Sequence, residues 1–106
     1  MQKGDIVLVP FPFTDLSSTK KRPAMVLVTT NEDVTLAFIT SQTKWKEEWN
    51  IDLIPTAGNG LKKRSVLRLA KITTLDKELI LGRLGSLSSE MLDKVNENLM
   101  RLFALK

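Results

Sequence analysis

With 106 residues, 42% of them hydrophobic, the chain has the size of one ordinary domain spanning 1–106, and no stretch reads as a flexible linker. It has no cysteine and no histidine, which excludes disulfides and thiolate metal sites and removes the commonest metal ligand and general base; neither metal nor cofactor is expected. A net charge of +4 is compatible with a polyanionic partner, and with no bilayer-length apolar run and no secretory signal the expectation is a soluble, cytoplasmic protein.

The first elements read as strands. Asp5 to Phe11 and Pro23 to Thr30 are short, apolar and rich in β-branched residues, and the Pro, Thr, Asp and Ser loop between them suits a strand pair. Lys20-Lys21-Arg22-Pro23 ends that loop. Pro23 fixes its own φ and pushes Arg22 toward an extended backbone, which holds a guanidinium at the mouth of a strand where a phosphate can meet it. Asn31-Glu32-Asp33 reads as a turn, Val34 to Ser41 as a third strand, and Gln42 to Trp49 as a polar loop carrying two tryptophans. Asn50 to Ile54 reads as a fourth strand, closed by Pro55 and the Gly58-Asn59-Gly60 turn. Residues 64 to 73 alternate as a fifth, with Ser65, Leu67, Leu69 and Lys71 on one face and Val66, Arg68, Ala70 and Ile72 on the other.

Thr74 is placed to cap a short helical turn through Leu81, and Gly82 to Leu87 to add an edge strand. Ser88 is a good N-cap for a last helix, with Leu87 and Leu92 as a hydrophobic staple and Glu90 at the positive end of the dipole. Met91, Leu92, Val95, Leu99, Leu102 and Phe103 fall on one face of that helix, a stripe expected to pack on the sheet. The expected fold class is therefore mainly β: a small, strongly bent sheet closed into a barrel-like form, with a C-terminal amphipathic helix. Closure removes the edges that a flat sheet exposes. A small barrel is filled by its own side chains, so function belongs on its loops and rim.

Basic residues gather in three groups: Lys20 to Arg22; Lys44 and Lys46; and Lys62, Lys63, Arg64, Arg68 and Lys71. Trp45 and Trp49, framed by Lys44 and Lys46, suit stacking of unpaired bases beside a phosphate-tracking charge; equally, they suit covering the barrel end or a second subunit. Arg68, on a mainly apolar face, calls for an acidic partner or an edge position.

Gly4-Asp5-Ile6-Val7, then Arg22-Pro23-Ala24-Met25-Val26-Leu27, then Ile39-Thr40-Ser41, and finally Ser65-Val66-Leu67 leading to Ile72-Thr73-Thr74-Leu75-Asp76 resemble the ordered blocks of the MazF/PemK toxin family. The resemblance covers nearly the whole chain, and it is the joint order of the blocks that is specific. It implies a small SH3-like β-barrel with a C-terminal helix, acting as a homodimer. It also implies metal-independent endoribonuclease cleavage of single-stranded RNA, restrained by a cognate antitoxin that covers the RNA groove. Carried over by position, the catalytic pair is Arg22, from the Arg-Pro block, and Thr40, at the end of the third strand. Arg68 matches an arginine that some family members use on the fifth strand; Ser41 and Gln42, next to Thr40, are expected to hydrogen-bond phosphate or a base edge, and Lys21, Lys44 and Trp45 complete the expected RNA-binding set by their charge and stacking face. The chain differs from many relatives in having Thr19-Lys20-Lys21 where paired glycines are common, and Ala70 where several carry an acid. The alternative function is a non-catalytic barrel that binds RNA or a protein partner such as DNA gyrase.

Overall fold

The computed structural model describes residues 1–11, 20–44 and 46–105. Six strands form one antiparallel sheet: β1 (Asp5–Phe11), β2 (Lys20–Thr29), β3 (Asp33–Thr40), β4 (Ile51–Leu53), β5 (Ser65–Asp76) and β6 (Gly82–Ser86), in the order β4-β5-β3-β2-β1-β6. A 3₁₀ turn, Lys77–Leu79, joins β5 to β6, and the helix α1 (Ser89–Leu102) follows. No described helix is long and apolar enough to cross a membrane.

The near-continuous apolar runs in β1 and β2 are explained by burial on both faces of the sheet. Ile6, Met25, Ala37, Ile39, Leu67 and Leu69 point to one side, where Val95, Leu92 and Leu99 of α1 cover them. Val7, Val9, Ala24, Val26 and Leu36 point to the other, under Leu79 and Ile80 from the turn after β5. The Ser88 hydroxyl caps α1 as expected, accepting from the Met91 N–H at 3.2 Å. Phe103 departs from the expected stripe. It lies beyond the last helical residue and is 54% exposed, because the helix ends before its side chain can turn onto the sheet.

Three departures from the sequence expectation bear on the site. β2 begins at Lys20, so Lys20, Lys21 and Arg22 are strand residues rather than loop residues, opposite Phe11, Pro10 and Val9 of β1. Pro23 is tolerated because the β3 ladder starts only at Ala24, which leaves this part of β2 a local edge. β5 runs through Thr74 to Asp76, and Asp76, not Thr74, caps the following turn by accepting from the Glu78 N–H at 2.9 Å. Sheet pairing wins there: Leu75 is buried, and the Thr35 and Thr74 hydroxyls bond across the ladder at 2.8 Å. The third difference is a bulge. Phe38 opposes Arg68 while Ala37 opposes Ile72, so Leu69, Ala70 and Lys71 have no counterparts on β3. The bulge shifts the alternation and turns Ile72 onto the face of Leu67 and Leu69, not that of Arg68 as the simple period-2 pattern implied.

The sheet is a curled half-barrel, and its edge strands β4 and β6 are bridged by a turn instead of a ladder. The Ser86 N–H donates to the Gly58 carbonyl at 2.9 Å. A Cβ on Gly85 would lie 2.2 Å from that same carbonyl, and one on Gly60 (φ +69) 2.2 Å from the Leu84 carbonyl, so only glycine permits this backbone approach. Buried Asn59 shapes the turn. Its Oδ1 accepts from the Thr56 and Leu61 N–H groups and its Nδ2 donates to the Ile54 carbonyl, each at 3.0 Å.

Candidate functional site

The site arises where one ladder ends. β2 and β3 are paired from Ala24 and Phe38 inward, but beyond that pair they part company: Arg22 pairs with Val9 on β1, and Thr40 with Val66 on β5. Arg22 and Thr40, each two residues outside the last shared pair, stand on the two sides of the resulting fork. The fork opens into a cleft of about 610 Å³ lined by both residues.

Six of the eight residues expected from sequence line this cleft: Lys21, Arg22, Thr40, Ser41, Gln42 and Arg68. Lys44 is exposed but does not line it. Trp45 lies outside the described residues. Trp49 is half-buried against the core that α1 covers, with its carbonyl accepting from Asn98 Nδ2 at 3.3 Å and its ring 5.8 Å from the Arg101 guanidinium carbon. Of the two open readings, it therefore takes the one in which it covers the barrel end.

Arg22 is exposed, and its guanidinium carbon lies 5.5 Å from the centre of the Phe11 ring, which anchors the cation by its π face. The Thr40 Oγ1 accepts from the Gln42 N–H at 3.1 Å. A hydroxyl held through a lone pair keeps its O–H to donate, so this bond orients Thr40 without using up its donor. Arg68 meets the expectation of an acidic partner, donating from Nη2 to Glu47 Oε1 at 2.8 Å.

Among the lining residues that sequence reasoning did not place in the site, Phe11, Lys62, Lys63 and Lys71 bear most on its charge and geometry. Phe11 carried no signal beyond ending an apolar run. Lys62, Lys63 and Lys71 belonged to the third basic group, but nothing in their spacing showed that the turn after β4 and the β5 bulge would bring them into one cleft with Arg22. The assembled cleft presents Lys21, Arg22, Lys62, Lys63, Arg68 and Lys71, and no Asp or Glu among its described lining residues. Thr40, Ser41, Gln42 and Ser65 add hydroxyl and amide groups to the same lining. Such a surface suits a phosphodiester chain: dispersed positive charge for the backbone, with neutral donors and acceptors for the groups between.

No curated protein matches the chain significantly. Solved structures do. The chain superposes on toxin MazF-mt6 of Mycobacterium tuberculosis with a TM-score of 0.78 and 21% identity, over 96% of this chain and 98% of that one. MazF of Deinococcus radiodurans gives 0.74 and 20%, over 98% and 96%. A mycobacterial endoribonuclease, solved in complex with its cognate antitoxin, gives 0.75 and 17%, over 100% and 95%. At these identities the likeness concerns the fold, which is that of the MazF toxins. A family model also matches residues 2–103, and so reaches from the strand before the fork to the end of the helix that covers the core. By that match the chain belongs to the family of PemK-like, MazF-like toxins of type II toxin-antitoxin systems.

Proposed function

We propose that the chain is the toxin of a toxin-antitoxin pair and that its cleft cleaves single-stranded RNA without a metal ion. The observation that carries this reading is that Arg22 and Thr40 both line the cleft at the β2–β3 fork, among charged lining residues that are all cationic. In the proposed reaction the 2′-oxygen of one ribose loses its proton and attacks the adjacent phosphorus. The bond to the 5′-oxygen of the next nucleotide breaks and that oxygen takes up a proton from water, while water accepts the proton released by the 2′-hydroxyl, leaving a 2′,3′-cyclic phosphate and a 5′-hydroxyl. Negative charge grows on the non-bridging oxygens as the new bond forms. A guanidinium anchored by Phe11 and a hydroxyl oriented by the Gln42 N–H stabilise that charge more than the ground state, which lowers the barrier.

Ser41, Gln42 and Lys21 bind the chain beside the scissile phosphate in this reading, with Lys44 and Trp45 further along the same segment. Membership of a toxin-antitoxin family supports an antitoxin as partner, and one structural neighbour is solved with its own. We assign the antitoxin to the same cationic cleft, a second copy of the chain to the working assembly, and the cytoplasm, where the RNA is, to the protein.

Incubation of the purified protein with single-stranded RNA in EDTA tests the proposal. Fragments ending in a cyclic phosphate and beginning with a 5′-hydroxyl are expected, and Arg22→Ala should lower the rate ~100-fold or more. An unchanged rate in Arg22→Ala, with its circular dichroism intact, would overturn the assignment of Arg22. Binding without cleavage would favour the non-catalytic barrel.

A further inference from the structure

Among the described residues, Arg68 is the cation of the cleft that already holds an anion. Its Nη2 lies 2.8 Å from Glu47 Oε1, with the Arg68 side chain 17% exposed and that of Glu47 37% exposed. Glu47 comes from the segment between β3 and β4, a few residues after Thr40, Ser41 and Gln42. The segment is fastened from behind. The Asn50 N–H donates to the Glu47 carbonyl at 3.1 Å, and Trp49 is held by Asn98 and Arg101 of α1. The carboxylate is thus placed against the cleft wall by a short link anchored to the helix.

A carboxylate on a guanidinium presents the charge and paired oxygens that a phosphodiester would present to the same donor. Arg68 is also well placed for such a ligand. It opposes Phe38 on β3 while Thr40 opposes Val66 on β5, so Arg68 and Thr40 are diagonal neighbours on one face, about 7–8 Å apart in the backbone and within reach of a long side chain. A nucleic-acid strand whose scissile phosphate meets Thr40 would bring a neighbouring phosphate to Arg68.

We infer that Arg68 is a second phosphate seat of the cleft, occupied in the free protein by the Glu47 carboxylate, which an incoming RNA phosphate displaces. This rests on the nuclease reading of the cleft. Glu47 is then a built-in competitor. It lowers affinity for RNA in general and favours strands long enough to fill the Thr40 and Arg68 positions together, since a ligand engaging Arg68 alone trades one anion for another.

The test is binding of a single-stranded oligonucleotide, 2′-O-methylated throughout so that it cannot be cleaved, measured by fluorescence anisotropy across a salt series. Glu47→Gln should tighten binding about 2- to 5-fold and steepen the slope of log affinity against log salt by up to about 0.7. The gain should vanish in an Arg68→Gln background, and Glu48→Gln, the same charge change one residue away, should give a smaller effect. Equal or weaker binding by Glu47→Gln overturns the inference, as does a gain that persists without Arg68. Cleavage of ordinary RNA by the wild-type protein is followed in parallel. If it cleaves and Glu47→Gln binds no tighter, the competitor idea fails alone; if it neither binds nor cleaves, the nuclease reading fails and the seat with it.

Discussion

The Arg22 guanidinium sits over the Phe11 ring, 5.5 Å from its centre, at the point where β1 ends and β2 begins. An exposed arginine samples many rotamers, and a ring beneath it narrows them to those that face the cleft. Phe11→Leu should therefore reduce cleavage about 2- to 5-fold through kcat, corresponding to ~0.5–1 kcal/mol of an exposed cation–π contact. Stability should change little, because Phe11 is 39% exposed. Steady-state kinetics together with urea unfolding checks both halves.

Thr40 is expected to act through its hydroxyl and not through its shape. Thr40→Val keeps the branched side chain in β3 and should lower kcat ~100-fold, as loss of one charge-stabilising donor commonly does. Thr40→Ser should retain most of the rate. The valine also removes the acceptor of the Gln42 N–H, so a rise in KM from a loosened Ser41–Gln42 segment should accompany it. Equal rates for the two variants would count against the role.

Asn59 should act through stability, since it shapes the turn after β4 but does not itself line the cleft. Replacing it with alanine leaves the Thr56 and Leu61 N–H groups and the Ile54 carbonyl without the partner that this one buried side chain supplies to an otherwise largely exposed turn. The expected loss is ~2–4 kcal/mol, from about 1 kcal/mol or more for each group left unpaired. Chemical denaturation should show a lower midpoint.

Trp49 should likewise matter for folding more than for RNA. It packs on the core beneath α1 and is only half-buried, so Trp49→Ala should destabilise by about 2–3 kcal/mol, below the usual figure for a fully enclosed aromatic. Measured at a temperature where the variant is fully folded, its oligonucleotide affinity should equal the wild type's or be up to about 5-fold tighter, because loosening the segment weakens the hold of Glu47 on Arg68. A large loss of affinity there would mean that the ring leaves the core to stack on bases.

Much of the architecture could be read in the chain because its signals are local. The apolar β-branched runs, the Gly58-Asn59-Gly60 turn and the Ser88 cap each act within a few residues, and each marks its element. The errors arose where a distant partner outweighed a local preference. Lys20 to Arg22 read as loop because they are polar, yet pairing with β1 draws them into a strand; Thr74 read as a cap, yet β3 holds it in the sheet. Period-2 counting on β5 failed at Leu69 to Lys71 because a bulge is defined by the opposite strand and leaves no mark in its own.

By itself, then, the sequence determined a basic, histidine-free and cysteine-free mainly β chain whose ordered blocks mark a toxin family, and it singled out Arg22, Thr40 and Arg68. Only the tertiary structure decided that the β2–β3 ladder stops short of Arg22 and Thr40, that lysines from the turn after β4 and from the β5 bulge join them, and that Glu47 already occupies Arg68. The reason is physical. Residue type sets what a side chain can donate, accept or neutralise, whereas the company it keeps depends on strand register and the curl of the sheet, which are settled by packing between residues far apart in the chain.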